Sequence, residues 1–212
     1  MDTAELIDKI SAKDADIGRF VQLALDDARI RDEIMHQMLT HPHIMVYYHC
    51  FYVVSKASQI KPKLFYPYWD EIAALLHYKN SYHRDFALTI LANLTLVDDE
   101  ERFSQLFDAY FEHINDEKFM TGQCCIQNSR KILEHKPELQ KPILARLLDM
   151  DKLCTYTGKQ KAVLKCDVLD VLEGIYPRVR SKQVDDFIRS GVYSISPKTK
   201  RKAKALITAL EL

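Results

Sequence analysis

The stretch HRDFALTILANL at residues 83–94 decides the fold, because its pattern returns later in the chain. Residues 161–172 read KAVLKCDVLDVL, and residues 201–210 read RKAKALITAL. With the matching stretch around Cys125, the copies recur every 38 to 40 residues. A period of this length is typical of stacked helical pairs, in which each unit is too small to bury its own apolar face.

The second helices of four pairs can be aligned residue by residue. Their three aligned positions hold Ala87, Cys125, Leu164 and Ala203, then Leu91, Ser129, Val168 and Ile207, then Leu94, Ile132, Val171 and Leu210. Small and apolar side chains thus recur where neighbouring helices must touch. Three of the four helices also carry a base three residues before the first aligned position, at Arg84, Lys161 and Lys200.

The chain is predicted to be all-α, with five antiparallel helical pairs in a single domain, residues 1–212. In each pair the first helix is called A and the second B. The predicted pairs are residues 16–58, 62–97, 98–135, 137–176 and 181–210. The first pair is expected to have one A helix from Asp16 to Leu39 and a B helix from Pro42 to Ser58. The third A helix is expected to begin with the acidic cap Asp98–Glu101.

Composition agrees with an all-helical, non-secreted protein. Five Gly and seven Pro in 212 residues are too few turn residues for a β-sandwich or a glycine-cradled nucleotide fold. The amino terminus begins acidic and lacks the apolar run of a secretory signal. The most apolar stretch, Ile44 to Val54, is about half the length that spans a bilayer, so no membrane insertion is predicted. Five scattered cysteines fit reduced buried thiols, and a cytoplasmic location is expected.

The repeated pattern of a base, a small residue and Leu-x-x-Leu-like spacing resembles the HEAT and armadillo-like repeat superfamily. The resemblance covers about residues 42–210, and the first pair is degenerate. It implies a right-handed superhelix with the B helices on the concave side, used as a scaffold or binding platform. It implies no catalytic residue and no cofactor.

The leading functional hypothesis is therefore a non-enzymatic module that holds a protein partner on its B helices. The candidate contacts are polar residues of these helices: Arg84, Gln127, Asn128, Arg130, Lys161, Lys165 and Asp167.

Aromatic residues are concentrated in the first two pairs. Tyr48, Tyr52, Tyr66 and Trp69 are candidates for a groove that grips a peptide or stacks a base, because Tyr and Trp combine apolar area with a polar tip. The alternative is that this aromatic block packs the first two pairs against each other.

Charge is distributed unevenly, although the formal net charge is zero. Residues 1–33 hold nine acids against five bases, whereas residues 178–204 hold nine bases against two acids. A possible basic patch consists of Lys198, Lys200, Arg201, Lys202 and Lys204. It could contact phosphates, or it could keep a terminal repeat soluble.

Metal and catalytic sites are not predicted. His36, His41, His43 and His49 fall within fourteen residues, but their spacing matches no strong zinc pattern. Adjacent Cys124 and Cys125 are expected to pack in the core. The usual phosphate-loop, zinc-hydrolase and serine-nucleophile motifs do not occur in the sequence.

The second hypothesis is a nucleic-acid-binding protein, including a DNA glycosylase built on helical repeats. The alkylpurine glycosylases resemble this fold and use Trp, Asp and Arg on their inner helices, with a Trp-x-x-x-Asp type arrangement. Here Trp69 lies on a predicted A helix and is followed by Asp70 and Glu71, not by a carboxylate at that spacing. This departure from the family pattern counts against base excision.

Overall fold

The structure is a computed structural model that describes residues 2–212, and this part of the chain contains helices and no strand. Its α-helices are α1 Thr3–Ser11, α2 Ile17–Asp26, α3 Ala28–Thr40, α4 Ile44–Ile60, α5 Trp69–Ala74, α6 Ser81–Leu94, α7 Arg102–Phe111, α8 Phe119–His135, α9 Gln140–Leu148, α10 Met150–Leu153, α11 Gly158–Val179, α12 Lys182–Ser190 and α13 Pro197–Leu210. Short 3-10 helices extend or replace several A helices. The all-α fold of helical repeats is confirmed.

The chain forms two compact units, residues 1–99 and residues 100–212. In the first unit, α4 packs against α1, α2, α3 and α6. In the second unit, α8 packs against α11, and α11 packs against α13. The first two predicted pairs fall in the first unit, the third starts two residues before the boundary, and the last two fall in the second unit. That all five pairs form one domain stays a prediction.

The B helices follow the aligned repeat closely. They are α4, α6, α8, α11 and α13, and the last four contain the aligned residues Ala87, Cys125, Leu164 and Ala203. Ala87, Cys125, Leu164 and Ala203 are all fully buried, which agrees with a helix-contact position. The match weakens at the chain end, where Ile207 and Leu210 of α13 are only half-buried.

The first pair departs from the prediction in three ways. A helix that was not predicted, α1, begins at the cap Asp2, whose carboxylate accepts a hydrogen bond from Glu5 N, and buries Leu6 and Ile10. The single helix predicted from Asp16 to Leu39 is wrong, because it breaks at Asp27 into α2 and α3. The extended Asp27 (φ −122°, ψ 118°) caps α3 by accepting from two backbone N–H groups, which stabilises a new helix start.

Pro42 was expected at the first position of its helix, but α4 starts at Ile44 after the extended residue His43. The expected acidic cap on the third A helix is also wrong. That helix, α7, starts at Arg102 and has no acid in its first turn. Asp98 is instead buried, and its carboxylate accepts a 2.7 Å hydrogen bond from the Tyr66 hydroxyl.

The second A helix is a series of short segments. Residues 62–64, 66–68 and 75–77 are 3-10 helices, and only α5 between them is α-helical. Pro62 and Pro67 each lack a backbone N–H donor, which disfavours a continuous α-helix here. The fully or almost fully buried Phe65, Trp69 and Ile72 nevertheless anchor the segment in the core of the first unit.

Candidate partner-binding surfaces

A hydrogen-bonded polar cluster joins two B helices of the second unit. The side-chain amides of Gln123 and Gln127 on α8 donate to the two carboxylate oxygens of Asp167 on α11, at 2.8 Å and 3.1 Å. Asp167 is buried, and this burial raises the pKa of its carboxyl, although the two amide hydrogen bonds lower it. The paired amides satisfy both oxygens and fix the position of the exposed Gln127 side chain.

The same faces of α8 and α11 make a second contact toward the C-terminal ends of the two helices. Arg130 pairs with Glu134 at 3.0 Å, and the guanidinium of Arg130 lies over Gly174. A Cβ atom at position 174 would stand 2.3 Å from the Arg130 Cζ, so the glycine makes room for the arginine. The next helix joins through Lys202, whose Nζ lies 2.6 Å from Asp170.

These residues form a continuous polar stripe, which we call the polar B-helix surface. It consists of Gln123, Gln127 and Arg130 on α8, Asp167, Asp170 and Glu173 on α11, and Lys202 on α13. The side chains of Arg130, Asp170 and Glu173 are each about half exposed. Lys202 also pairs with Glu173 at 2.7 Å. Carboxylates, an amide and a guanidinium are therefore exposed to solvent on this surface, and the packing of three helices fixes their relative positions.

Gln123, Asp170 and Glu173 were not among the sequence candidates for partner contact, and Lys202 was named only for the possible basic patch. Helical spacing could have found two of them, because Asp170 lies three residues after Asp167 and Glu173 three residues after Asp170, which places them along one face.

Lys161 and Lys165 were candidates for this surface, but the structure turns them toward the A helices. Lys161 Nζ donates to the backbone oxygen of Asp151 at 2.6 Å. Lys165 Nζ lies 3.8 Å from the Asp151 carboxylate and 5.0 Å from the centre of the Phe187 ring. Their contacts are with α10 and α12, so neither belongs to the polar B-helix surface.

Arg84 is buried and acts within its own unit. Its guanidinium Nη1 donates to the backbone oxygens of Tyr78 and Lys79, at 2.9 Å and 3.1 Å. These bonds hold the turn that leads into α6. The expectation that Arg84 presents its charge to a partner is wrong for this structure, because little of the side chain is accessible.

Asn128 is half-buried within α8. Its amide donates to the Cys124 backbone oxygen at 3.0 Å, and its oxygen accepts from Lys131 Nζ at 3.1 Å. Burial lowers the pKa of Lys131. Of the seven candidate contacts, Gln127, Arg130 and Asp167 are brought together, and the other four point elsewhere or are enclosed.

The aromatic candidates separate into two groups. Tyr48 on α4 lies at the centre of the first group, with ring centroids 5.0 Å from Tyr52 and 5.4 Å from Tyr82, both nearly perpendicular to it. Tyr52 and Tyr82 are each about two-fifths exposed. Burial and the Tyr52 hydrogen bond raise the pKa of Tyr48 to about 12.

The second group does not line an open groove. The Trp69 indole is 2% exposed, and the Tyr66 hydroxyl donates to the buried Asp98. The alternative role, packing between the first two pairs, agrees with the stacking of Phe51 on Phe86, whose ring centroids are 4.1 Å apart.

The basic patch on α13 is mostly accessible. Lys198, Lys200, Arg201 and Lys204 are exposed, whereas Lys202 is engaged by the carboxylates of Asp170 and Glu173. On the opposite side of the helix, Thr199, Ala203 and Leu206 are buried. The helix therefore combines an apolar face that closes the second unit with a basic face toward solvent.

Metal-binding groups do not assemble in residues 2–212: no cluster of three or more His, Cys, Asp and Glu side chains is suited to hold an ion. In the candidate histidine cluster, the His49 ring nitrogen Nδ1 contacts the Ile10 backbone oxygen at 2.6 Å, and His41 Nδ1 accepts from the His43 backbone N–H. Cys125 is buried and Cys124 half-buried. Within the same residues, no helix is long and apolar enough to cross a membrane.

Comparison with known proteins gives one match. A family model described as a HEAT repeat domain matches residues 3–166, which extend from α1 into α11. No curated protein and no solved structure matches the chain. The matched part exceeds half of the 212 residues and contains the first three of the predicted pairs. The chain therefore belongs to the HEAT repeat domain family.

Proposed function

We propose that this chain is a non-enzymatic helical-repeat scaffold that binds a segment of a partner protein on the polar B-helix surface. The observation that carries the proposal is the Gln123–Asp167–Gln127 cluster. It holds an exposed amide in one orientation without covering it. Because its N–H group is used by Asp167, the Gln127 amide keeps its oxygen to accept a hydrogen bond from a partner backbone N–H.

The charges beside this cluster support a polar peptide as the ligand. Arg130 has guanidinium N–H groups that suit a carboxylate or backbone oxygen. Its half-exposed side chain is held in place by the ion pair with Glu134 and by packing over Gly174. Asp170 and Glu173 lie one helical turn apart and share the single base Lys202, so the pair keeps a net negative charge that suits a partner base. The arrangement is preorganised, which lowers the entropy lost on binding. Free cysteines that are mostly buried suit a reducing compartment, and a cytoplasmic site of action is part of the proposal.

The test is recovery of the tagged protein from its native cells at low salt, with and without nuclease, followed by mass spectrometry. The variant Gln127→Ala/Arg130→Glu is compared with Glu138→Ala/Lys141→Glu. This control makes the same kinds of change at two exposed positions near the start of the fourth predicted pair. We expect the first variant alone to lose a nuclease-resistant protein partner, by roughly tenfold in affinity. Equal recovery by both variants, with unfolding midpoints unchanged, would contradict the surface assignment.

Nucleic acid is the alternative ligand, and the four exposed bases of α13 are its supporting observation. Binding through phosphates should fall steeply with salt and disappear from the nuclease-treated sample. The glycosylase form of this alternative lacks support, because the buried Trp69 indole is enclosed and has no face available to stack on a base.

A further inference from the structure

The turn that enters α13 presents two apolar side chains to solvent. Tyr193 is 85% exposed and Ile195 is 65% exposed. Among the large hydrophobic side chains of residues 2–212, none is more exposed than Tyr193. Solvation of so much apolar surface is unfavourable, and contiguous exposed apolar groups commonly mark an interaction site. We call Tyr193 and Ile195 the apolar tip.

The backbone beneath the apolar tip is held in place by local hydrogen bonds. Ser194 N donates to the Gly191 oxygen at 3.1 Å, and Ser196 N donates to the Ser194 hydroxyl at 3.2 Å. The Ser196 hydroxyl caps α13 by accepting from Thr199 N. Gly191 itself is buried against α13. The apolar tip therefore projects from a turn whose backbone is held by hydrogen bonds.

Exposed bases follow the apolar tip in the chain and lie at the start of α11. Lys198, Lys200 and Arg201 are exposed in the first turns of α13. Lys159 is exposed in the first turn of α11, beside Gly158, where an added Cβ atom would stand 3.8 Å from Ile195 Cδ1. The sequence has no acidic residue between Asp186 and Glu211. The segment that carries the apolar tip is therefore basic, and Lys198 in it also interacts electrostatically with the Asp167 carboxylate of α11.

The geometry points to an anionic phospholipid bilayer surface as the partner of this turn. A tyrosine and an aliphatic side chain that project from a turn can enter the headgroup region, where Tyr is favoured because its ring is apolar and its hydroxyl stays hydrated. The exposed bases then meet lipid phosphates and serine carboxylates, and each contributes about fivefold to membrane affinity. Contact of this kind is peripheral and needs no spanning helix.

Charge complementarity and shape together favour a bilayer over a protein groove. A protein groove would have to supply both an apolar pocket and an acidic rim of matching shape. A bilayer of anionic lipid supplies an apolar interior below a negative surface for any projecting tip of this composition. The apolar tip and the bases assigned to this contact share no residue with the polar B-helix surface, so the inference does not rest on the proposed function.

The experiment is co-sedimentation of the full chain with vesicles of phosphatidylcholine, with and without about one third phosphatidylserine. We expect binding only to the anionic vesicles, and weaker binding as salt is raised. Tyr193→Ser/Ile195→Ser should reduce the partition coefficient by about tenfold, because the apolar contribution is lost while every base remains. Lys198→Glu/Lys200→Glu should reduce it by at least about tenfold through charge.

Two matched controls separate these effects from general changes. Leu96→Ser removes an apolar side chain that is 56% exposed beside Asp98 and Asp99, and should leave vesicle binding unchanged. Lys141→Glu/Lys182→Glu makes the same charge change at exposed positions away from the tip, and should reduce binding much less than Lys198→Glu/Lys200→Glu. Thermal unfolding of each variant establishes that it is folded.

Three outcomes would overturn the inference. One is no binding to anionic vesicles by the wild-type chain. Another is vesicle binding that survives Tyr193→Ser/Ile195→Ser without loss. The third is binding to duplex DNA that depends on Lys198 and Lys200 and not on the tip, with no vesicle binding, which would assign these bases to nucleic acid.

Discussion

Gly191 lies so close to Ala203 that a Cβ atom on Gly191 would stand 2.7 Å from the Ala203 Cβ. Leu169 Cδ1 would be 3.2 Å away from the same atom. Gly191 has an ordinary right-handed helical φ of −63°, so space and not backbone conformation demands the glycine. Its absent side chain lets the turn after α12 pack directly on the small-residue position of α13.

Gly191→Ala should therefore destabilise the protein by about 1–3 kcal/mol through overpacking. Chemical denaturation measures the change. In the double variant Gly191→Ala/Ala203→Gly the clash is relieved, so the two single effects should not add. Gly158→Ala is the control, because its nearest contact would be an ordinary 3.8 Å, and its stability should change little. Simple additivity in the double variant would show that the two positions are not coupled.

Thr199 joins α13 to α11 by a buried side-chain hydrogen bond. Its hydroxyl donates to the backbone oxygen of Ala162 at 2.7 Å. Thr199→Val keeps the shape and removes the donor, so we expect a loss of about 1 kcal/mol in the free energy of unfolding. The same change at exposed Thr208, later in α13, should cost less than about 0.5 kcal/mol. Equal effects at both positions would indicate that only helix propensity has changed.

Arg84 should matter for stability, because its guanidinium holds the turn before α6. Arg84→Ala removes the bonds to the Tyr78 and Lys79 oxygens and should cost about 2 kcal/mol in urea denaturation. Lys79→Ala, a truncation at an exposed neighbouring position, should fall within about 0.5 kcal/mol of wild type. If Arg84→Ala were neutral in stability, its charge would again be a candidate for partner contact.

Asp167 should make stability depend on pH. Because burial raises its pKa in the folded state above that of the unfolded chain, protonation favours the folded state. This contribution is fully present below the unfolded pKa of about 3.9 and is lost as pH rises through the higher folded value. Asp167→Asn stays neutral, so its stability relative to wild type should increase over that rise and then level off.

The measurement is urea denaturation of wild type and Asp167→Asn across the acidic range and up to neutral pH. Asp170→Asn is the control, because its carboxylate is about half exposed and pairs with Lys202. A rise in relative stability that also appears with Asp170→Asn would point to a general effect of removing a carboxylate from α11. A stability of Asp167→Asn relative to wild type that decreases with rising pH would contradict the burial argument.

Part of the polar B-helix surface could be predicted from sequence. Gln127, Arg130 and Asp167 are polar residues of predicted B helices, and they do lie together. Their partner Gln123 has the same helical phase as Gln127, one turn earlier, and was recognisable by that spacing. The sequence did not show which neighbouring helices the side chains of Lys161 and Lys165 contact. A lysine at the edge of a helix can reach either neighbour, and the groups that these two contact belong to other helices.

By itself, the sequence determined the helical class and the phase of the B helices. The burial of Ala87, Cys125, Leu164 and Ala203 follows from periodicity, because apolar spacing fixes which stripe of a helix must leave water. The start of α13 also follows from local sequence, because Ser196 can cap a helix and Pro197 suits its first position.

Only the tertiary structure decided which polar groups meet and which are enclosed. Neighbours from other helices determine that Arg84 and Trp69 are buried and that Tyr193 is exposed. They also determine that the Arg130 guanidinium packs over Gly174. Local periodicity assigns each residue to a side of its own helix. The distance and orientation of the next helix are set by packing between side chains remote in sequence, and these determine what the residue touches.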